Sequence, residues 1–128
     1  MLNKIFKLGL IGVFALVMMV VATSCQKEKE TIGIIIVKDS DGNLVSNAEV
    51  TLSPDQDISS GGDYPDPDLT KTNETDANGE AQFTYELEAI LDIKASITIG
   101  NDYYETNNVI SLLRGETTTK TVEIVKTN

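Results

Sequence analysis

From Thr31 onward the apolar residues of this chain recur at every second position, and that alternation constrains its fold more than any other feature. Ala48, Val50 and Leu52 alternate with Glu49, Thr51 and Ser53. Ala81, Phe83, Tyr85 and Leu87 alternate with Gln82, Thr84 and Glu86. Leu91, Ile93, Ala95, Ile97 and Ile99 alternate with Asp92, Lys94, Ser96 and Thr98. Successive side chains of a strand point to opposite faces, so each run buries one face and wets the other. No window carries the 3.6-residue stripe of an amphipathic helix. Ile32 to Val37 is almost continuously apolar and β-branched, the pattern of a strand covered on both faces. Thr117 to Val125 is rich in Thr and Val, which favour strands.

Turn chemistry separates these runs. Asp39-Ser40-Asp41-Gly42-Asn43 and Asp76-Ala77-Asn78-Gly79-Glu80 each place a Gly after an Asp or Asn, a pairing that tolerates positive φ in tight turns. Gly100-Asn101-Asp102 and Arg114-Gly115-Glu116 mark two more. The spacing predicts strands over 31–38, 47–53, 70–75, 80–88, 90–99, 103–113 (interrupted) and 117–126. About seven short strands at this spacing make an all-β protein, a single antiparallel β-sandwich over 31–128. One stretch breaks the rhythm. Pro54 to Leu69 holds all three prolines together with Asp55, Asp57, Asp63, Asp66 and Asp68. Loops longer than about 12–15 residues are uncommon in compact domains and are often functional or disordered.

The N-terminal part follows a different logic. Met1 to Lys7 carries two lysines and no acid, and Leu8 to Ala22 carries no charge at all. A basic start, a short apolar core and small residues at its end describe a secretory signal peptide over 1–24. A permanent transmembrane helix takes roughly 20 apolar residues, more than this run offers. Ala22-Thr23-Ser24-Cys25 then places small residues before the only cysteine of the chain. This resembles the bacterial lipoprotein lipobox, with Ala22 where Leu is usual. The resemblance implies cleavage between Ser24 and Cys25 and lipid attachment on Cys25. Removing 24 residues from 128 leaves a mature chain of 104, one ordinary domain. Residues 25–30 form a polar tether after the lipidated cysteine. Gln26-Lys27-Glu28-Lys29-Glu30 resembles the charged export signal of surface lipoproteins in Bacteroidota, although Lys29 interrupts its acids. The expected location is the outer membrane of a Gram-negative bacterium, held by lipid and displayed at the cell surface.

The order of strands and turns also resembles the carboxypeptidase regulatory-like and bacterial Ig-like domains. Val37-Lys38-Asp39-Ser40-Asp41-Gly42-Asn43-Leu44-Val45-Ser46-Asn47-Ala48-Glu49-Val50-Thr51-Leu52 is similar to their strand followed by Asp-x-x-Gly-x-Pro-Val-x-Gly-Ala-x-Val-x-Leu. Leu44 replaces the frequent Pro, and Asn47 the frequent Gly. Thr75-Asp76-Ala77-Asn78-Gly79-Glu80-Ala81-Gln82-Phe83 is similar to their Thr-Asp-x-x-Gly-x-x-x-Phe turn and strand. The resemblance spans about Ile32 to Lys126. It implies an Ig-like or transthyretin-like sandwich and a non-catalytic module for stabilisation, adhesion or ligand contact.

Composition removes several chemistries. The chain has no His, so Ser–His–Asp and Cys–His catalysis cannot be assembled within it, and the histidine-dependent transthyretin-like hydrolases are excluded. Zinc sites need His or Cys ligands that are missing here. An autocatalytic Lys–Asn isopeptide crosslink needs a buried Lys, and Lys38 and Lys94 read as exposed. Both leader charges are lysines, so removing them takes the net charge from −10 to −12, and phosphate backbones should be repelled. Twenty acids in a small domain pair by chance, and no Trp accompanies them to bind a glycoside. The sequence therefore reads as no enzyme and no nucleic-acid binder.

Two ligand readings remain open. Hard cations take six to eight oxygens, and Asp55, Asp57, Asp63, Asp66 and Asp68 could surround one calcium ion, although the EF-hand spacing is absent. The other reading of that stretch is a solvated acidic loop. Tyr103 and Tyr104 are adjacent, so a strand turns only one of them inward. The other, near Asn101, Asp102, Asn107 and Asn108, would face solvent and could contact a glycan. The expected partners are the membrane, through the lipid, and an unknown protein or glycan.

Overall fold

The computed structural model describes residues 27–54 and 69–128. They form eight strands: β1 Thr31–Lys38, β2 Glu49–Pro54, β3 Lys71–Glu74, β4 Glu80–Tyr85, β5 Ala89–Ile99, β6 Asp102–Leu112, β7 Thr117–Glu123 and β8 Val125–Lys126. Two sheets pack face to face, a small one ordered β4-β1-β7 and a large one ordered β3-β2-β5-β6-β8. The expected all-β sandwich is what forms. Ile35, Val37, Phe83 and Val122 of the small sheet meet Val50, Leu52, Leu91, Ile93, Ala95, Ile110 and Leu112 of the large one. Gly33, opposite Phe83 on β4, leaves the space that Leu112 enters, since an added Cβ would lie 3.1 Å from Leu112 Cδ2.

Four local expectations are corrected. β1 is not covered on both faces: Thr31, Gly33, Ile35 and Val37 are buried, whereas Ile32, Ile34 and Ile36 are only half-buried. The outer isoleucines lie between Thr84, Gln82 and Glu80 of β4 and Thr117, Thr119 and Thr121 of β7, whose side chains shield them partly. β6 is unbroken, because its full length pairs with β5, from Ala89↔Leu112 to Ile99↔Asp102. Its weak apolar pattern reflects its position near the sheet border. The run 117–126 is two strands in different sheets. Ile124, buried at the crossing, donates its N–H to the Lys38 carbonyl and ends β7 before β8 joins β6. Finally, β1 and β7 are parallel, whereas every other strand pair is antiparallel. β6 delivers the chain to the end of the sandwich where β1 starts, so β7 must set out in the same direction.

The borders are protected. Asn73 Nδ2 on β3 donates to the Gln82 carbonyl on β4 (3.1 Å), and the Lys71 ammonium donates to the Thr84 carbonyl, stitching the two sheets together there. Lys120 of β7 lies on the core-facing register opposite Ile35, and an inward charge on a border strand discourages pairing with another sheet.

The two loops singled out by their Asp and Gly residues lock onto each other. Thr75 is buried; its hydroxyl donates to the Val45 carbonyl (2.7 Å) and accepts the Ala48 N–H (2.9 Å). Gly79 has φ 70°, and an added Cβ would lie 3.0 Å from the Val37 carbonyl oxygen, so no larger residue fits. Thr75→Val should cost about 1–3 kcal/mol, because it strands buried polar groups of the 45–48 segment. Thr75→Ser should recover most of that loss. Denaturant unfolding of the two variants checks this.

Candidate functional site

The strand directions give the sandwich two distinct ends. At the near end lie the start of β1, the 86–88 and 113–116 turns, the end of β2 and the start of β3. Pro54, opposite Leu91, and Leu69, just before β3, therefore both lie at the end where residues 27–30 arrive. A proline is tolerated there because β3 pairs with β2 only over 49–52, leaving Pro54 without a partner on that side. At the far end lie the 39–47 loop and the 75–79 and 100–101 turns. Ser24 and Cys25 fall outside the described residues. So do the candidate calcium ligands Asp55, Asp57, Asp63, Asp66 and Asp68.

The Tyr pair behaves as alternation requires. Tyr104 packs against the core, while Tyr103, 39% exposed, points away on the outer face of the large sheet. The register puts Glu105 and Asn107 on the same face, with Thr98, Ser96 and Lys94 opposite them on β5. Among the other polar neighbours expected near it, Asp102 is paired with Lys126 at 2.9 Å. The Asn108 amide oxygen accepts the Val109 N–H. What Tyr103 offers is thus a polar ladder with one aromatic ring at its far-end corner.

A second feature was not legible in the sequence. Beside the tether is a shallow cleft of about 630 Å³, lined in part by Glu28, Glu30, Lys71, Tyr85 and Leu87. Lys71 reaches it from the other sheet, and its ammonium stands 4.6 Å from the centroid of the Tyr85 ring, a cation–π contact. The Tyr85 hydroxyl donates to the Leu69 carbonyl (3.1 Å), tying the end of the acidic stretch to β4.

Burial pushes the Tyr85 phenol up to about 12. An unfolded tyrosine ionises near 10, so the fold favours the neutral phenol. That contribution is complete below about pH 10 and is lost as pH rises toward the folded value. Phenolate absorbance should show one tyrosine that ionises only near pH 12, and Tyr85→Phe should remove it.

Among the described residues, two carboxylates ionise more readily than usual. The Glu88 carboxylate is held down by its own backbone N–H and then by Arg114, whose Nε lies 2.8 Å away. Asp39 is lowered mainly by the Asn43 N–H (2.9 Å), with the Asn43 side chain and the Asp41 N–H adding to it. Both are turn-forming interactions between exposed groups. Among the described residues no group of three His, Cys, Asp or Glu side chains could hold a metal ion. Comparison with protein-family models and with curated proteins returned no match.

Proposed function

We propose that this chain is a lipid-anchored, non-enzymatic protein of the bacterial cell envelope that acts as a structural or interaction module. The observation that carries the reading is the single cysteine behind Ala22-Thr23-Ser24, at the end of a basic and then apolar leader. A thiol that has no partner within the chain is best explained as an acylation site. The charged tether after Cys25 favours the outer membrane and display at its surface. The absence of His supports a non-catalytic role.

The finer likeness to carboxypeptidase regulatory-like and bacterial Ig-like domains is supported at two positions. Asn47 has φ 59°, a left-handed conformation, at the place where those families often carry Gly. Thr75 bonds to the 45–48 loop, which gives the Thr of the second motif a structural reason. As an interaction module the protein would present the polar ladder of the large sheet, with Tyr103 at its corner, to a protein or glycan. The direct test is the mass of the mature protein from a Gram-negative host. It should begin at Cys25 and carry acyl chains; a mature chain with a free thiol defeats the reading.

A further inference from the structure

The near end of the sandwich carries three large aliphatic side chains in the open. Leu87 in the β4–β5 turn is 56% exposed, Ile90 at the start of β5 is 61% exposed, and Leu113 just after β6 is 55% exposed. They belong to one rim. Ile90 pairs with Ser111, two residues before Leu113, and the Glu88–Arg114 ion pair joins the turn bearing Leu87 to the turn following Leu113. Alternation gives a reason to bury Leu87, which continues the register of Phe83 and Tyr85, yet β4 ends at Tyr85 and leaves it outside.

The tether reaches the same rim. Gly115 donates its N–H to Thr31 Oγ1 (2.9 Å), and a Cβ added at Gly115 would lie 3.4 Å from Lys29 Cβ. Lys29 therefore rests against the 113–116 turn, four residues after Cys25. Four residues span at most about 14 Å even when fully extended. A lipid on Cys25 must enter its membrane within about that distance of Lys29, which lies beside Gly115, two residues after Leu113. The headgroup layer of one leaflet is itself only about 5–8 Å deep, so the rim cannot stand far from it.

We infer that the near end is a membrane-seating surface, with Leu87, Ile90 and Leu113 in the headgroup–acyl boundary of the membrane that holds the anchor. This rests on the lipoprotein reading and extends it, because lipid chains alone would leave the domain free to tumble on its tether. Aliphatic side chains in that boundary gain from partial burial, and Arg114 beside them keeps its charge toward the headgroups. Glu28, Glu30, Glu86, Glu88 and Glu116 lie on the same end and outnumber Lys29, Lys71 and Arg114 there, which favours a zwitterionic surface over a strongly anionic one. Seating fixes the domain upright and turns the 39–47 loop, the 75–79 turn and the Tyr103 corner away from the membrane.

The test uses the complete, processed protein in phosphatidylethanolamine-rich vesicles. Acylation consumes Cys25, so a single introduced cysteine accepts a nitroxide label. Leu87→Cys and Leu113→Cys report the near end. Ile99→Cys, at the far end and 55% exposed, is the matched control. Seating predicts several-fold stronger relaxation by oxygen from the lipid, and weaker relaxation by an aqueous nickel chelate, at 87 and 113 than at 99. Equal aqueous accessibility at all three sites, on protein that is acylated and vesicle-bound, overturns the seating and leaves the anchor standing. Dipolar broadening between labels at 87 or 113 also overturns it, assigning the rim to a second copy. A second labelled thiol at Cys25 on unbound protein overturns the anchor and the seating together.

Discussion

Phe83→Ala should lower the unfolding free energy by about 3–5 kcal/mol, a large share of what a small domain possesses. Phe83 is only 4% exposed, lies at the middle of β4 and faces Gly33 across the β1–β4 pairing. The Leu112 side chain of the opposite sheet fills the space above Gly33, so the ring stands where the two sheets meet. Removing it leaves a void that neighbours held by two ladders cannot collapse into. Phe83→Leu should cost less, since most of the volume stays. Chemical denaturation of the 31–128 domain would measure both. A loss below about 1 kcal/mol, the range of surface sites, would mean that the ring contributes little to the core.

Cys25→Ser should abolish acylation and with it the lipid anchor. Each buried methylene adds about 0.8 kcal/mol to membrane affinity, and stable anchoring takes more than one chain. The lipoprotein pattern places several chains on this one residue, and serine cannot form the thioether that starts the modification. The variant should appear as soluble or unprocessed protein, while the wild type should fractionate with the outer membrane and resist extraction by salt. The domain itself should be unchanged in stability, because every described core residue lies beyond Thr31. Unaltered membrane fractionation and an unaltered hydrophobic mass of the Ser variant would end the lipoprotein reading. The exposed rim of Leu87, Ile90 and Leu113 would not replace the anchor, since three partly buried aliphatic side chains support only weak, reversible contact with lipid.

Much of the architecture is legible because backbone alternation is a local property. Val50 and Leu52, Phe83 and Tyr85, and Leu91, Ile93 and Ala95 are apolar at every second position, and all of them are buried. The Asp41-Gly42 and Asn78-Gly79 turns show their chemistry in four or five residues, and both glycines have positive φ. The opposed directions of Tyr103 and Tyr104 follow from adjacency alone. The reach of the core is less legible. Ile99 continues the register of β5 but is 55% exposed, because β5 runs past the core.

By itself, then, the sequence determined which segments are strands, which face of most of them is apolar, where the turns fall, and that histidine chemistry is absent. Only the tertiary structure decided which strand lies beside which. Ladder hydrogen bonds join backbone groups that are the same in every residue, so apolar alternation names a face and never a neighbour. The parallel β1–β7 pair, the passage of 117–126 from one sheet to the other at Ile124, and the half-open outer face of β1 all follow from that choice of neighbours. So does the meeting of the tether with Leu87, Ile90 and Leu113 at one end. Those residues are far apart in the chain, and strand directions summed over two packed sheets bring them together.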